Sequence, residues 1–165
     1  MTESMFSFIS ILEHHYPPGD LGELSPNMEM KVVDIESGDN LPENRHGEIW
    51  LRGPIMFKGY HNNENATKRT IDEDGWLHTG DFGHYDENGH LFITDQVTEL
   101  IKFRIWFVFP TEIEACLLEH DAIAEVAVIG IKHIVDVEWP RAYVKLKQGK
   151  KISEEKIKKY VAGNI

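Results

Sequence analysis

The residues best placed to do chemistry are carboxylates set beside glycines. In Gly75-Trp76-Leu77-His78-Thr79-Gly80-Asp81 an aspartate follows a glycine, which can adopt turn conformations closed to other residues. A carboxylate in that position can approach a ligand closely, and its two oxygens can accept from a vicinal diol such as ribose. The same aspartate can equally cap a turn, and the segment alone leaves both roles open. Other candidates are weaker. Glu13, His14 and His15 bring metal-ligating types together, but adjacent histidines point apart in a strand and no third ligand follows at useful spacing. A surface loop is the expectation there. His78, His84 and His90 share a spacing that suits neither one helix face nor a zinc site, so they are expected to be solvent-facing turn residues. The single cysteine, Cys116, excludes an internal disulfide, and its apolar neighbours predict a small buried hydrophobe.

The elements that must carry these groups change in texture along the chain. The first part reads as short strands broken by turn chemistry, at Pro17-Pro18-Gly19-Asp20 and at Ser37-Gly38-Asp39-Asn40. Residues 28–34 alternate as a half-buried strand does, and Gly47 to Gly53 repeat the pattern. In the latter, Ile49 and Leu51 face one way while Glu48, Trp50 and Arg52 face the other. Asn63 is a candidate cap for a short helix reaching Thr70. Asp86-Glu87-Asn88-Gly89 predicts a hairpin turn leading into a strand from His90 to Thr94. After Asp95 the pattern becomes helix, strand, strand, helix. Pro110 opens a helix to about His120 with Ile113, Leu117 and Leu118 as its apolar face. Val126–Ile129 and Ala142–Leu146 predict strands, and Ser153 caps a last helix. The fold class expected is α+β, with a mainly β part over 1–94 and a hinge plus small α+β domain over 95–165.

Several spaced motifs taken together resemble the adenylate-forming superfamily of acyl-CoA synthetases, 4-coumarate–CoA ligases and firefly luciferases. They run in order: Gly59-Tyr60, Ala66-Thr67, Trp76 to Asp81, Gly89 with Leu91-Phe92-Ile93, and Asp95 to Lys102. Met1-Thr2-Glu3 is similar to the end of that family's Gly-Met-Thr-Glu motif, and Pro110, Glu112 and Glu114 to its Pro-x-Glu-x-Glu helix. The resemblance implies an ATP-dependent carboxylate–CoA ligase. Its acid attacks ATP to give an acyl-adenylate and pyrophosphate, and the thiol of CoA then displaces AMP. The implied cofactors are ATP or AMP, Mg²⁺ and CoA, and the implied partner is a small carboxylic acid. By the same resemblance Thr2 contacts the AMP phosphate, Glu3 supports Mg²⁺, and Asp81 binds the ribose hydroxyls. Asp95 lies at the interdomain hinge, and Lys102 matches a lysine brought to the active site for thioester formation.

The chain also departs from that family. Gln96 stands where an arginine usually makes a second ribose contact, which loses a charge-assisted hydrogen bond. Ile105 and Val137 stand where glycines are usual, and a branched side chain at 105 is expected to restrict φ and fill space near the pantetheine path. The family's phosphate loop and acyl pocket would lie upstream of Met1, and its adenylating lysine beyond Ile165. The expectation is therefore a C-terminal piece of a ligase that is inactive alone. A non-catalytic remnant or interaction module, or one half of a split ligase with a missing upstream half, are the alternatives.

Composition narrows the remaining classes. Hydrophobic residues make up 41% and charged residues 27% of the 165, which suits a globular protein. With Lys+Arg 17 against Asp+Glu 28 the formal charge is −11, which argues against nucleic acid as a partner. Trp50, Trp76, Trp106 and Trp139 show no base-stacking pattern and are expected in core or interdomain packing. No stretch approaches the ~18 apolar residues of a membrane span. A cytoplasmic location is the default expectation. A peroxisomal one is compatible with the family, although Ala162-Gly163-Asn164-Ile165 is no peroxisomal address.

Overall fold

The computed structural model describes residues 1–9, 16 and 19–165. Pro17, Pro18, Glu13, His14 and His15, on which a turn and a loop were expected, lie outside the described residues. The chain divides into two compact units, Met1–Val97 and Thr98–Ile165.

The first unit is built on an antiparallel five-stranded sheet. Its strands are β3 (Glu29–Val33), β4 (Asn40–Leu41), β5 (Gly47–Arg52), β6 (Leu77–Tyr85) and β7 (Leu91–Gln96), in the order β4-β3-β5-β6-β7. A small ribbon of β1 (Phe8–Ile9) and β2 (Glu23–Leu24) accompanies it. On β5 the alternation is clean: Gly47, Ile49 and Leu51 are buried while Glu48, Trp50 and Arg52 are only partly covered. Ile49 and Leu51 join Met28 and Leu91 in the core. Fully burying each such side chain stabilises by about 1.5–3 kcal/mol. Gly47 and Gly83 face each other across β5 and β6. A Cβ on Gly47 would run into the Val33 carbonyl and one on Gly83 into the Phe92 carbonyl, so close strand approach requires glycine at both.

Helix α1 (Glu64–Thr70) starts where expected: the Asn63 side chain accepts from the Ala66 N–H at 3.0 Å. The turn before β7 closes through Gly89 N–H to the Asp86 carbonyl, with the Asp86 carboxylate accepting the N–H groups of Asn88 and His90.

The second unit holds a four-stranded antiparallel sheet, order β10-β11-β8-β9, formed by β8 (Ile101–Phe103), β9 (Trp106–Val108), β10 (Ile123–His133) and β11 (Val137–Leu146). A single 3₁₀ turn, Val97–Glu99, precedes it. Helices α2 (Pro110–Leu118) and α3 (Glu154–Ala162) complete the unit, with Pro110 at the start of α2. The fold is α+β as expected, with corrections in detail. The β8–β9 hairpin was not anticipated, and β10 and β11 run well past the strands expected at 126–129 and 142–146. Leu117 is fully buried, but Leu118 is half exposed and lies off the apolar face. Ser153 precedes α3 without a side-chain capping bond. Cys116 is partly covered and not fully buried.

Candidate functional site

Asp81 sits at an irregularity in the sheet. Trp50 pairs with His78 and Glu48 with Phe82, so Thr79, Gly80 and Asp81 oppose the single residue Ile49. Such a bulge re-aims the side chains it carries. It is held by four short-range contacts. The Thr79 hydroxyl donates to the Ile49 carbonyl at 2.7 Å and accepts from the Asp81 N–H at 3.0 Å. The Gly80 N–H donates to Glu48 Oε1 at 3.1 Å, and the Trp50 indole N–H to Glu48 Oε2 at 2.8 Å. Gly80 has φ +73°, a conformation open to glycine at little cost. The aspartate is thus aimed by Thr79 and Glu48, two residues the sequence reading did not single out. The alternation on β5 put Glu48 on the right face, but nothing in the sequence marked it as the partner of residue 80.

Burial pushes the Asp81 carboxyl up. The Met1 α-amino group partly offsets this, and the nearby Glu48 adds to it. Gln96 is the direct cross-strand neighbour of Asp81 on β7 and is exposed. Asp95, beside it, is buried, and its carboxylate accepts the Gln96 N–H at 2.8 Å.

Glu3 is fixed from both oxygens. Tyr60 donates its hydroxyl to Oε1 at 2.9 Å and Thr2 donates to Oε2 at 3.1 Å, while the Glu3 carbonyl accepts the Phe57 N–H at 2.8 Å. A backbone hydrogen bond and the Tyr60 hydroxyl hold its carboxyl below the usual range. Tyr60 was legible only as part of a motif, since no local pattern ties it to a residue so far back in the chain. Among the described residues no group of three or more His, Cys, Asp or Glu converges as a metal cage. A lone ionised carboxylate suits Mg²⁺, which is commonly held by one or two carboxylates together with substrate phosphates.

Lys102 belongs to the second unit, on β8 opposite Phe107 of β9, with its Nζ 5.4 Å from that ring's centre. Ile105 sits in the β8–β9 turn, 77% exposed. The left-handed φ of that turn falls on Arg104 at +57° and not on Ile105, so the branched side chain there carries no backbone penalty. An open, mainly apolar groove of about 1000 Å³ lies between α2, α3 and β11 and contains none of these groups.

The histidines correct the sequence expectation. His78 stacks on Trp50 with centroids 3.7 Å apart and its Nε2 lies 3.5 Å from Asp72. His84 stacks on Phe92, and His90 contacts Asp86 at 3.2 Å. All three are partly buried, and none is a solvated turn residue. The tryptophans are not core either. Lys31 lies 4.5 Å from the Trp50 ring and 4.4 Å from that of Trp76, which Arg52 also covers at 4.4 Å. Trp106 and Trp139 are more than half exposed.

Comparison with known proteins gives the same direction over the whole chain. The signature of AMP-binding enzymes matches residues 1–61 and that of the AMP-binding enzyme C-terminal domain residues 112–165. The chain is 42% identical over its full length to luciferin 4-monooxygenase of Nipponoluciola cruciata, of which it covers 30%. It is 48% identical to 4-coumarate–CoA ligase 4 of Arabidopsis thaliana over 87% of the chain and 25% of that protein. Among solved structures, ATP-bound MatB from Rhodopseudomonas palustris superposes with a TM-score of 0.90 at 32% identity, over 100% of this chain and 33% of that one. The o-succinylbenzoate coenzyme A synthetase of Bacillus subtilis in complex with AMP gives 0.75 at 33% identity, over 89% and 29%. The chain spans about a third or less of the length of the relatives it matches. No helix among the described residues is long and apolar enough to cross a membrane.

Proposed function

Because this chain belongs to the adenylate-forming superfamily of AMP-binding enzymes, we propose that it supplies the ribose-binding edge and the mobile-domain lysine of an ATP-dependent carboxylate–CoA ligase. In that reaction a carboxylate oxygen attacks the α-phosphorus of ATP and pyrophosphate leaves. The CoA thiolate then attacks the acyl carbon and AMP leaves.

The observation that carries the reading is Asp81: a half-buried carboxylate aimed by a bulge, with a free-facing amide, Gln96, beside it on β7. Its oxygens accept the two ribose hydroxyls, and Gln96 adds a neutral contact. Glu3, kept ionised and oriented by Tyr60 and Thr2, is the protein's ligand to Mg²⁺. Mg²⁺, when bound, neutralises the charge of the phosphates. Thr2 faces the nucleotide phosphate, Asp95 is the pivot, and Lys102 serves the thioester step with CoA.

Titration of the chain with AMP tests this. Binding is expected at about millimolar affinity, roughly −4 kcal/mol, and is expected to be lost in Asp81→Ala. Equal affinity in the two proteins would reduce Asp81 to a turn residue. The 165-residue polypeptide by itself is expected to give no acid-dependent ATP–pyrophosphate exchange. Exchange above a heat-inactivated control would refute that part.

A further inference from the structure

One carboxylate in the second unit joins two hairpins. Asp136, at the tip between β10 and β11, is only 4% exposed although it is charged. Its carboxylate accepts from Arg104 Nε and, at 2.8 Å, from the Trp139 indole N–H. Its carbonyl accepts the N–H groups of Arg104 and Glu138, both at 2.9 Å. Its own N–H donates to His133 Nδ1 at 3.2 Å, and the His133 ring tilts against Trp139. Arg104 lies in the β8–β9 turn, two residues after Lys102.

The joint continues beside Asp136. Val137 pairs with Phe103, and the Lys102 N–H donates to Glu138 Oε2 at 3.0 Å. Residues on both sides of the joint also have left-handed backbones. Arg104 has φ +57° and Val137 φ +68°, a region that a β-branched side chain avoids. Such conformations persist only where the surroundings over-determine them, and they cluster where geometry matters.

We propose that Asp136 is a positioning residue for Lys102: through Arg104 it clamps the β8–β9 turn to the β10–β11 tip and so fixes the strand from which the lysine projects. This rests on the reading of Lys102 as the lysine of the thioester step. An anchored turn presents the amine in one direction, and an unanchored three-residue strand does not.

The test uses the full chain, isotopically labelled, under conditions where it is folded. In Asp136→Ala the amide exchange of Arg104 and Lys102 is expected to quicken at least tenfold relative to Ala127 and Tyr143 in the body of the β10–β11 hairpin. The ε-methylene resonances of Lys102 should move as its relation to the Phe107 ring changes. Asp136→Asn keeps an acceptor for Trp139 but not the charge for Arg104, and should fall between. Unchanged exchange and shifts in a folded variant would overturn the proposal. So would uniform acceleration across the unit, since it would mark Asp136 as a general stabiliser. If Asp136→Ala does not fold, Arg104→Gln, with its largely exposed side chain, breaks the clamp from the other end and decides the matter by the same comparison. AMP titration at Asp81 involves none of these residues, so failure of the ligase reading shows there and failure of the clamp shows here.

Discussion

Val137→Gly should stabilise the second unit. Val137 is held at φ +68° beside the Asp136 joint. A left-handed conformation costs an L-residue about 1–2 kcal/mol, and β-branching puts valine at the upper end. Glycine relieves that cost but gives back two smaller amounts. The valine side chain is half exposed, so its burial contributes about 0.7 kcal/mol, half the low end for a fully buried one. The freedom glycine gains in the unfolded chain costs about 0.5 kcal/mol. The balance favours glycine by about 0.5–1 kcal/mol, which for a unit of this size is ~3–6 °C in melting temperature. Because the two units need not melt together, the amides of Ala142 and Tyr143 on β11 should be followed by NMR through a thermal ramp. Ile105→Gly is the internal control. Ile105, in the neighbouring turn, has no left-handed φ, so glycine there should lower the midpoint. A midpoint that stays or falls in Val137→Gly, in a protein with an otherwise native spectrum, would refute the strain argument. A rise in both variants would refute the distinction between the two sites.

Asp81→Asn should stabilise the first unit while weakening AMP binding. Burial raises the folded pKa of Asp81, so its favourable contribution is present below the unfolded value of ~3.9 and is lost as pH rises through the folded one. The gain from Asn over Asp, read by urea titration, should therefore appear at neutral pH and vanish near pH 3. Asp86 has the opposite sign. Burial alone would raise its carboxyl, but the N–H groups of His90 and Asn88 outweigh that and hold it at about 2. The stability it contributes is present above ~4 and is lost as pH falls toward 2, a loss that Asp86→Asn should abolish in an acid titration of the first unit. Trp76→Ala should release Lys31 and Arg52 from one ring and cost about 1 kcal/mol beyond lost burial, measured against Trp76→Phe.

Local signals were legible and distant ones were not. The Asn63 cap, Pro110 at the start of α2, the Asp86–Gly89 turn and the two faces of β5 are each set within a few residues, and all are present. The β8–β9 hairpin escaped notice because its turn, Arg104-Ile105, contains none of the residues that favour a left-handed φ. Its Arg104 is instead bonded by Asp136, far along the chain, a contact that no local pattern announces. The length of β10 and β11 was hidden for another reason. Ile134 and Val135 at their tip are exposed, so apolar type and burial part company where alternation would otherwise mark the strand ends. The histidines were misjudged since their spacing was tested against helices and zinc sites. On β6 the even spacing puts His78 and His84 on one face, where each meets an aromatic ring of a neighbouring strand.

The charge pattern around Asp81 suggests what kind of ligand can satisfy it. Glu48 is committed by the Gly80 N–H and the Trp50 indole, so it remains an acceptor and contributes negative charge beside a second, partly buried carboxylate. Two acidic groups in that relation raise the cost of ionising Asp81. A hydroxyl donor lowers the cost directly, because it hydrogen-bonds the charged form. A vicinal diol offers two such donors at a spacing that one carboxylate can span, and it adds no charge that the acidic chain would have to balance. With the neutral Gln96 as its cross-strand neighbour, the carboxylate has no salt bridge among the described residues that a sugar would have to displace. On the proposed reading of Asp81 as the ribose-binding residue, affinity for the diol is set by how far binding relieves it. A nucleoside should therefore bind more weakly when the pH falls far enough to protonate Asp81, whereas a ligand gripped only through its phosphate would show no such loss.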